Sequence, residues 1–266
     1  MLLQNKNAVI YGGGGAIGGA VARVFAREGA KVFIAGRTQA KLDAVAASIT
    51  AAGGTIETAQ VDAFDERAVE RHADAVAAKA GGIDIALNAV SVMHDQGTLL
   101  ADLSLDEFMR PIDGFLRTLF LTSKAVAKHM GGKKRTGVIL TLSEPGSKLA
   151  ESGILGHSVS SAGKETFSRV LAAELAPRNI RVICIRPHAI SDAPAAGSYT
   201  NELFKSMADA SSLSEQEWFA SMAQSTMLKR LPTLSEVAET AAFLASDRAG
   251  AMTGTIANLT SGALTE

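Results

Sequence analysis

The stretch YGGGGAIG, residues 11–18, decides the fold of this chain. It follows the apolar run AVI at residues 8–10, and it precedes a segment in which apolar side chains recur at three- and four-residue steps, as in a helix. Gly13-x-Gly15-x-x-Gly18 fits the spacing of a dinucleotide-binding turn. Glycine lets the backbone approach a pyrophosphate, and the helix start offers free N–H groups. The alternative is a flexible loop that binds nothing.

The composition is that of an ordinary globular protein, with 266 residues, 47% hydrophobic and 20% charged. A net charge of −1 without a basic block argues against a nucleic-acid partner. The tightest basic cluster, KKR at residues 133–135, is interpreted as a solvated loop. No apolar run is long enough to cross a bilayer, so we expect no membrane partner and a cytoplasmic location. One cysteine and five scattered histidines give no indication of a metal site.

Apolar runs that are typical of strands alternate along the chain with segments of helical periodicity. The predicted strands cover residues 8–11, 31–35, 55–61, 83–88, 138–142, 180–186 and 254–259, and the predicted helices cover 16–28, 38–52, 65–80, 106–130, 154–176 and 235–246. Pro111 is expected to interrupt the fourth helix near its start. The pattern predicts an α/β fold: a single Rossmann-type domain over residues 1–266, with a doubly wound parallel sheet of about seven strands and helices on both faces.

Residues 193–230 are less regular and contain Trp218 and several methionines. We interpret them either as a substrate lid inserted over the carboxyl ends of the strands, where open α/β sheets bind ligands, or as ordinary packing or a subunit contact.

The residues that follow the second strand select the nucleotide. Gly36 occupies the place of the acidic residue that holds the ribose 2′-OH of NAD, and Arg37 follows it. A guanidinium suits a 2′-phosphate, so the sequence favours NADP(H) as the cofactor. The alternative is a surface arginine at a helix start.

Over nearly its whole length the chain resembles the short-chain dehydrogenase/reductase family. The glycine turn is similar to the family's T-G-x-x-x-G-I-G, with Tyr11 for threonine and Ala16 for the middle glycine. Matches in the family's order follow at VD (61–62), NAVS (88–91), IRV (180–182), PHAI (187–190) and GT (254–255). The resemblance implies a homotetramer or homodimer with helices 106–130 and 154–176 at the interface. The turn and the resemblance together give these cofactor-binding residues: Gly12, Gly14, Gly15, Ala16, Ile17, Gly18, Arg37, Asp62, Ala63, Asn88, Ala89, Lys164, Pro187 and Ile190.

The family's catalytic asparagine, serine and Tyr-x-x-x-Lys are only partly kept. Lys164 is present, but Ser160 stands at the tyrosine position and Phe115 at the asparagine position. The serine position falls on Ser143 or, by strict register, on Glu144. Neighbouring charges cannot bring an alkyl hydroxyl into the pKa range of the family's tyrosine, so Ser160 is a poor proton donor.

His157 offers a substitute proton donor. It precedes Ser160 by three residues and Lys164 by seven, which places all three on one helix face. Histidine titrates near neutrality, but His157 can also be a polar residue at a helix start. Glu144 can act as a base or exclude the usual substrates. The candidate catalytic residues are Lys164, Ser160, His157, Ser143 and Glu144.

These features predict an NADPH-dependent oxidoreductase that reduces a carbonyl group or an activated C=C bond of an apolar substrate. His157 and Lys164 resemble the Tyr-x6-Lys of divergent enoyl reductases, and Ser160 and Lys164 resemble the Ser-x-x-x-Lys of dienoyl-CoA reductases. Two alternatives stay open. One is a catalytically degenerate NADP(H)-binding sensor or partner subunit, and the other is a carbonyl reductase with a rebuilt proton relay.

Overall fold

The computed structural model describes residues 1–132 and 135–265, so Lys133 and Lys134 of the basic cluster lie outside the described residues. In this part of the chain the elements follow in the order β1 (Asn7–Tyr11), α1 (Ala16–Arg27), β2 (Lys31–Gly36), α2 (Gln39–Ala51), β3 (Thr55–Gln60), α3 (Glu66–Ala80), β4 (Ile85–Asn88), α4 (Leu105–Ala127), β5 (Gly137–Leu142), α5 (Leu155–Leu175), β6 (Ile180–Pro187), α6 (Thr200–Ala210), α7 (Glu215–Ser225), α8 (Leu234–Ala245) and β7 (Thr255–Leu259).

The seven strands form one parallel sheet in the order β3-β2-β1-β4-β5-β6-β7. The chain therefore builds outward from β1 in one direction and, after β3, crosses back to build in the other direction from β4. This confirms the predicted doubly wound Rossmann-type sheet. The reversal between β1 and β4 opens a crevice at the carboxyl ends of the strands, where ligands bind in such sheets.

Each face of the sheet has its own apolar core. Ala8 and Ile10 of β1 pack on one face with α1, α2 and α8, while Val9 and Tyr11 pack on the other with α3, α4 and α5. Successive side chains of a strand point to opposite faces, so a strand covered on both sides must be apolar throughout. This explains the continuous apolar runs of the central strands.

Two predictions of secondary structure were wrong. The stretch 193–230 contains two helices, α6 and α7, and α7 begins with a capping box between Ser214 and Glu217. Helix α4 begins at Leu105 and runs through Pro111 without interruption. The capping box of Ser104 and Glu107 stabilises its first turn. The helix therefore tolerates the loss of the one backbone hydrogen bond that Pro111, which has no N–H, cannot donate. Other boundaries differ from the predictions by one to three residues.

The third residue of the basic cluster, Arg135, is not simply solvated. Its Nε lies 2.6 Å from Asp84 Oδ1, and its Nη1 donates a hydrogen bond to the carbonyl oxygen of Gly81. Among the described residues, no helix is long and apolar enough to cross a membrane.

Candidate active site

Two adjoining spaces open at the carboxyl ends of the strands. A crevice of about 150 Å³ lies beside the glycine turn, and a cavity of about 520 Å³ lies beyond β4, β5 and β6. Val90 and Ser91 line both spaces, so a ligand in the crevice can extend into the cavity.

The glycine turn allows the backbone to come very close to its neighbours. Gly12 has a φ of +80°, and a Cβ there would collide with the carbonyl group of Ala89. A Cβ at Gly18 would collide with the carbonyl oxygen of Gly12. Helix α1 therefore starts directly against the end of β1, with Gly15 as its N-cap and no side chain capping it. Such a helix start leaves backbone N–H groups for an anion.

The crevice brings together most residues of the predicted nucleotide site. Arg37 lies at its wall with Lys41, and Asp62 is the one carboxylate in the described lining. Gly12, Gly14, Gly15 and Ala63 also line the crevice. Of the other predicted contacts, Ile17, Asn88, Ala89, Pro187 and Ile190 line the larger cavity, whereas Gly18 is buried and Ala16 packs against the apolar cluster that contains Ile190.

Helices α6 and α7 supply an apolar wall to the larger cavity. Phe204, Trp218 and Phe219 form an aromatic cluster with ring centroids 5.0–5.5 Å apart, and the first two line the cavity. Leu203, Met207 and Met222 extend this wall. The exposed lining is therefore mainly apolar, and its polar side chains include Glu144, His157 and Lys164.

Lys164 and Glu144 form an ion pair in the cavity wall. The Nζ atom of Lys164 lies 2.7 and 2.6 Å from the two carboxylate oxygens, and it also lies 4.1 Å from the ring centroid of Phe115. Ser161 Oγ lies 2.7 Å from Glu144 Oε2. Burial is the largest influence on the pKa of Glu144 and raises it. The charges of Lys164 and His157, together with the hydrogen bonds from Lys164 and Ser161, outweigh burial and hold this pKa well below its usual range. Glu144 is therefore ionised at neutral pH.

His157, in the first turn of α5, lines the same cavity as this ion pair. Its Nδ1 lies 3.1 Å from Nε2 of His94, a residue of the loop between β4 and α4. Burial lowers the pKa of His157 to about 4, although the carboxylate of Glu144 opposes this shift. Burial also lowers the pKa of His94. Both imidazoles are therefore neutral at pH 7.

The two predicted serines are directed away from the cavity. Ser160 is fully buried, and its hydroxyl donates to the carbonyl oxygen of His157 at 2.8 Å. Ser143 lines the cavity, but its Oγ lies 2.9 Å from the buried carboxylate of Glu165. Ser147 donates to the same oxygen at 2.6 Å. The structure thus brings His157, Glu144 and Lys164 together at the cavity and turns the serine hydroxyls into the protein.

His94 and Tyr199 are residues of this site that no motif of the sequence indicates. His94 lies in a loop without periodicity, and nothing local to it indicates a contact with a residue 63 positions away. Tyr199, which immediately precedes α6, lines the cavity with its ring centroid 6.5 Å from that of His94. It is one of only two tyrosines in the chain. Burial and the charge of Glu144 raise the pKa of Tyr199, which makes it a weak acid.

Within residues 1–132 and 135–265, no group of three or more histidine, cysteine, aspartate or glutamate side chains could hold a metal ion.

The comparisons with known proteins point in one direction. A family model described as enoyl-(acyl carrier protein) reductase matches residues 14–263. The chain is 31% identical over 251 residues to the 3-oxoacyl-(acyl carrier protein) reductase FabG of Chlamydia pneumoniae, covering 94% of both chains. It is 27% identical over 263 residues to the 7alpha-hydroxysteroid dehydrogenase of Clostridium sardiniense, covering 98% of this chain and 94% of that one. A solved short-chain type dehydrogenase/reductase from Mycobacterium marinum matches with a TM-score of 0.83 and 26% identity, covering 99% of this chain and 97% of that one.

Proposed function

Because this chain belongs to the short-chain dehydrogenase/reductase family of oxidoreductases, we propose that it is an NADP(H)-dependent enzyme with an atypical proton donor. Its proposed reaction is the reduction of a carbonyl group or an activated C=C bond in an apolar substrate, with His157 in place of the family's tyrosine. One observation carries this proposal: His157 and Lys164 line an apolar cavity that adjoins the nucleotide crevice.

The residues of the crevice fit a dinucleotide. The side-chain-free turn at Gly12 and the uncapped start of α1 suit a pyrophosphate. Arg37 and Lys41 place two positive charges at the wall near Gly36, where a carboxylate would repel a 2′-phosphate. This supports NADP(H) over NAD(H). A bound nicotinamide would supply the hydride.

The lining of the cavity indicates the substrate class. The wall of α6 and α7 is aromatic and aliphatic, and a volume of about 520 Å³ admits a small or medium-sized molecule. The relatives named above act on a 3-oxoacyl group and a hydroxysteroid, which agrees with an apolar carbonyl or alcohol compound. We therefore assign α6 and α7 the role of a substrate cover.

The proton in this scheme comes from His157. Its imidazolium donates a proton from Nε2 to the substrate oxygen or carbon, and the neutral imidazole remains. The ammonium of Lys164, which Glu144 and the ring of Phe115 hold in place, contributes positive charge near a developing oxyanion. Tyr199 is not favoured as the donor because its raised pKa makes it a weak acid.

One observation favours the second candidate, a sensor that binds NADP(H) without turnover. Both carboxylate oxygens of Glu144 already hold the ammonium of Lys164, and Ser143 is bound to Glu165. Lys164 and Ser143 stand at positions that assist catalysis in the family, and here both are already bound to carboxylates of the protein.

A binding assay followed by a turnover assay separates the two functions. Trp218 is the only tryptophan and lines the cavity, so its fluorescence can report NADPH binding. A panel of aldehydes, ketones, enones and enoyl thioesters is then tested for NADPH oxidation in the wild type, in His157→Phe and in Tyr199→Phe, which removes the hydroxyl of the other candidate donor in the cavity. If the protein is the proposed enzyme, His157→Phe abolishes turnover, whereas Tyr199→Phe still turns substrate over. NADPH binding without turnover on any substrate favours the sensor.

We also propose that the chain is a cytoplasmic homodimer or homotetramer that contacts its copies through α4 and α5. Phe120 on α4 and Val170 on α5 are more than half exposed, which leaves apolar surface for such a contact. Light scattering of the purified protein gives the mass of the assembly, and a monomer at micromolar concentration would contradict the proposal.

A further inference from the structure

The pair His94 and His157 has an unusually well-defined geometry. The ring planes differ by 7°, the centroids are 5.2 Å apart, and the closest nitrogens are 3.1 Å apart. Parallel rings with these two distances must lie edge to edge, because a face-to-face stack with this N···N distance has much closer centroids. The hydrogen bond therefore lies near the plane of both rings, which is the favourable geometry for N–H···N.

The backbone fixes which nitrogen of His94 carries the hydrogen. Nδ1 of His94 lies 2.8 Å from the carbonyl oxygen of Val92, and a carbonyl can only accept, so Nδ1 must be protonated. In the neutral ring Nε2 is then an acceptor. The side-chain nitrogen of Gln96 also lies 3.1 Å from this Nε2, so Gln96 and His157 share its one lone pair.

The tautomer of His157 follows from that of His94. Its Nδ1 faces an acceptor and must donate, so Nδ1 carries the hydrogen and Nε2 carries the lone pair. The Cδ2–Nε2 edge of the ring lies against Gly146, a wall residue of the cavity. Within the described part of the chain, no hydrogen bond occupies this Nε2.

We propose that His94 is the positioning residue of proton transfer: it holds His157 as the Nδ1–H tautomer and leaves Nε2 as the atom that exchanges a proton with the substrate. This inference rests on the proposed function for its chemical meaning. In alcohol oxidation, Nε2 accepts the hydroxyl proton as the C=O bond forms, and an oxidised nicotinamide held next to the cavity would take the hydride. In reduction, the imidazolium returns the same proton. At neutral pH the pair therefore presents Nε2 as a base, which serves the alcohol-oxidation direction, whereas reduction needs the imidazolium that forms as the pH falls.

Nuclear magnetic resonance of protein with ¹⁵N-labelled histidine tests the tautomer without any substrate. Long-range ¹H–¹⁵N correlations distinguish a protonated from an unprotonated ring nitrogen, and the chain has only five histidines. His157→Gln assigns the signals of His157. His94→Phe removes the acceptor but keeps an aromatic ring beside Phe115, and His94→Gln restores an acceptor oxygen at the end of its side chain.

We expect wild-type His157 to carry its proton on Nδ1 at pH 7.5, to gain an Nε2–H population in His94→Phe, and to keep the wild-type pattern in His94→Gln. The signals of His129, which is bound to Asp74, serve as the internal control and should not change. A proton on Nε2 in the wild type, or an unchanged pattern in His94→Phe, would overturn the inference.

If His157 carries its proton on Nδ1 as expected but no substrate is turned over, the proposed function fails. The inference that His94 positions the His157 ring then still holds. Where turnover is found, the initial rate of alcohol oxidation at pH 7.5 should fall about tenfold or more in His94→Phe and recover in His94→Gln. Equal rates in both variants would refute the catalytic role of the pair.

Discussion

Gly146→Ala is expected to disable His157 by displacing its ring, with the histidine itself unchanged. An added Cβ would lie 2.5 Å from Cδ2 and 2.8 Å from Nε2 of His157, whereas ordinary contact begins at 3.4 Å. The ring would have to retreat by about 0.9 Å. Its opposite edge is already hydrogen-bonded to His94 at 3.1 Å, so the ring can only rotate or displace its partner.

The magnitude follows from this displacement. A misplacement of about 1 Å in a catalytic group can cost about 100-fold in rate, and overpacking costs about 1–3 kcal/mol of stability. We therefore expect kcat/KM for NADPH oxidation to fall about 100-fold. The free energy of unfolding, from urea titration, should fall by about 1–3 kcal/mol.

Gly163→Ala is the matched control in the same helix as His157. Its Cβ would lie 3.2 Å from the terminal methyl of Leu116, which can move, and alanine favours a helix over glycine by about 1 kcal/mol. This variant should keep its rate to within about threefold, since the His157 ring is undisturbed. A Gly146→Ala protein with wild-type kcat/KM and an unchanged His157 spectrum would refute the reasoning.

The remaining predictions concern the nucleotide and the ion pair. Arg37→Ala should weaken NADPH binding about 10- to 100-fold by loss of a charge-assisted contact, while NADH binding, measured by Trp218 fluorescence, stays nearly constant; equal losses would contradict the 2′-phosphate role. Glu144→Gln should lower the free energy of unfolding by about 2–3 kcal/mol, near the lower end for a buried pair because Glu144 is partly exposed. Adding Lys164→Met should recover part of this loss, and strictly additive losses would show that the pair is not coupled.

Much of the fold could be predicted from the sequence because its signals are local. The glycine turn at residues 11–18 and the alternation of apolar runs with helical segments indicated the parallel sheet. Helices α6 and α7 were missed because their apolar side chains face a cavity rather than a continuous core, although the Ser214–Glu217 capping box was a readable sign.

The site was only partly predictable because its key contacts join distant segments. The positions of Glu144 and Lys164 in the sequence indicated that both lie near the reaction centre. They did not indicate the ion pair that the two residues form, because 20 positions separate them. The helix spacing placed Ser160 on the face of His157 and Lys164, yet its hydroxyl bonds to a backbone carbonyl instead. His94 had no local signal, and only the folded chain brings it to His157.

The central claim is that His157 exchanges the proton in the cavity. The titratable groups that act on it are His94, Glu144 and Lys164, and Tyr199 lies beside His94. Since the pKa of His157 is lowered to about 4, its donor form decreases as pH rises above that value.

The most direct test is kcat/KM for reduction of an enone or ketone by NADPH from pH 8 to pH 5, in the wild type, His157→Gln and the control Tyr199→Phe. We predict a rise of about tenfold per unit of falling pH in the wild type and in Tyr199→Phe, and a low, flat profile in His157→Gln. A flat wild-type profile, or a slope that survives in His157→Gln, would contradict the assignment of His157 as the proton donor.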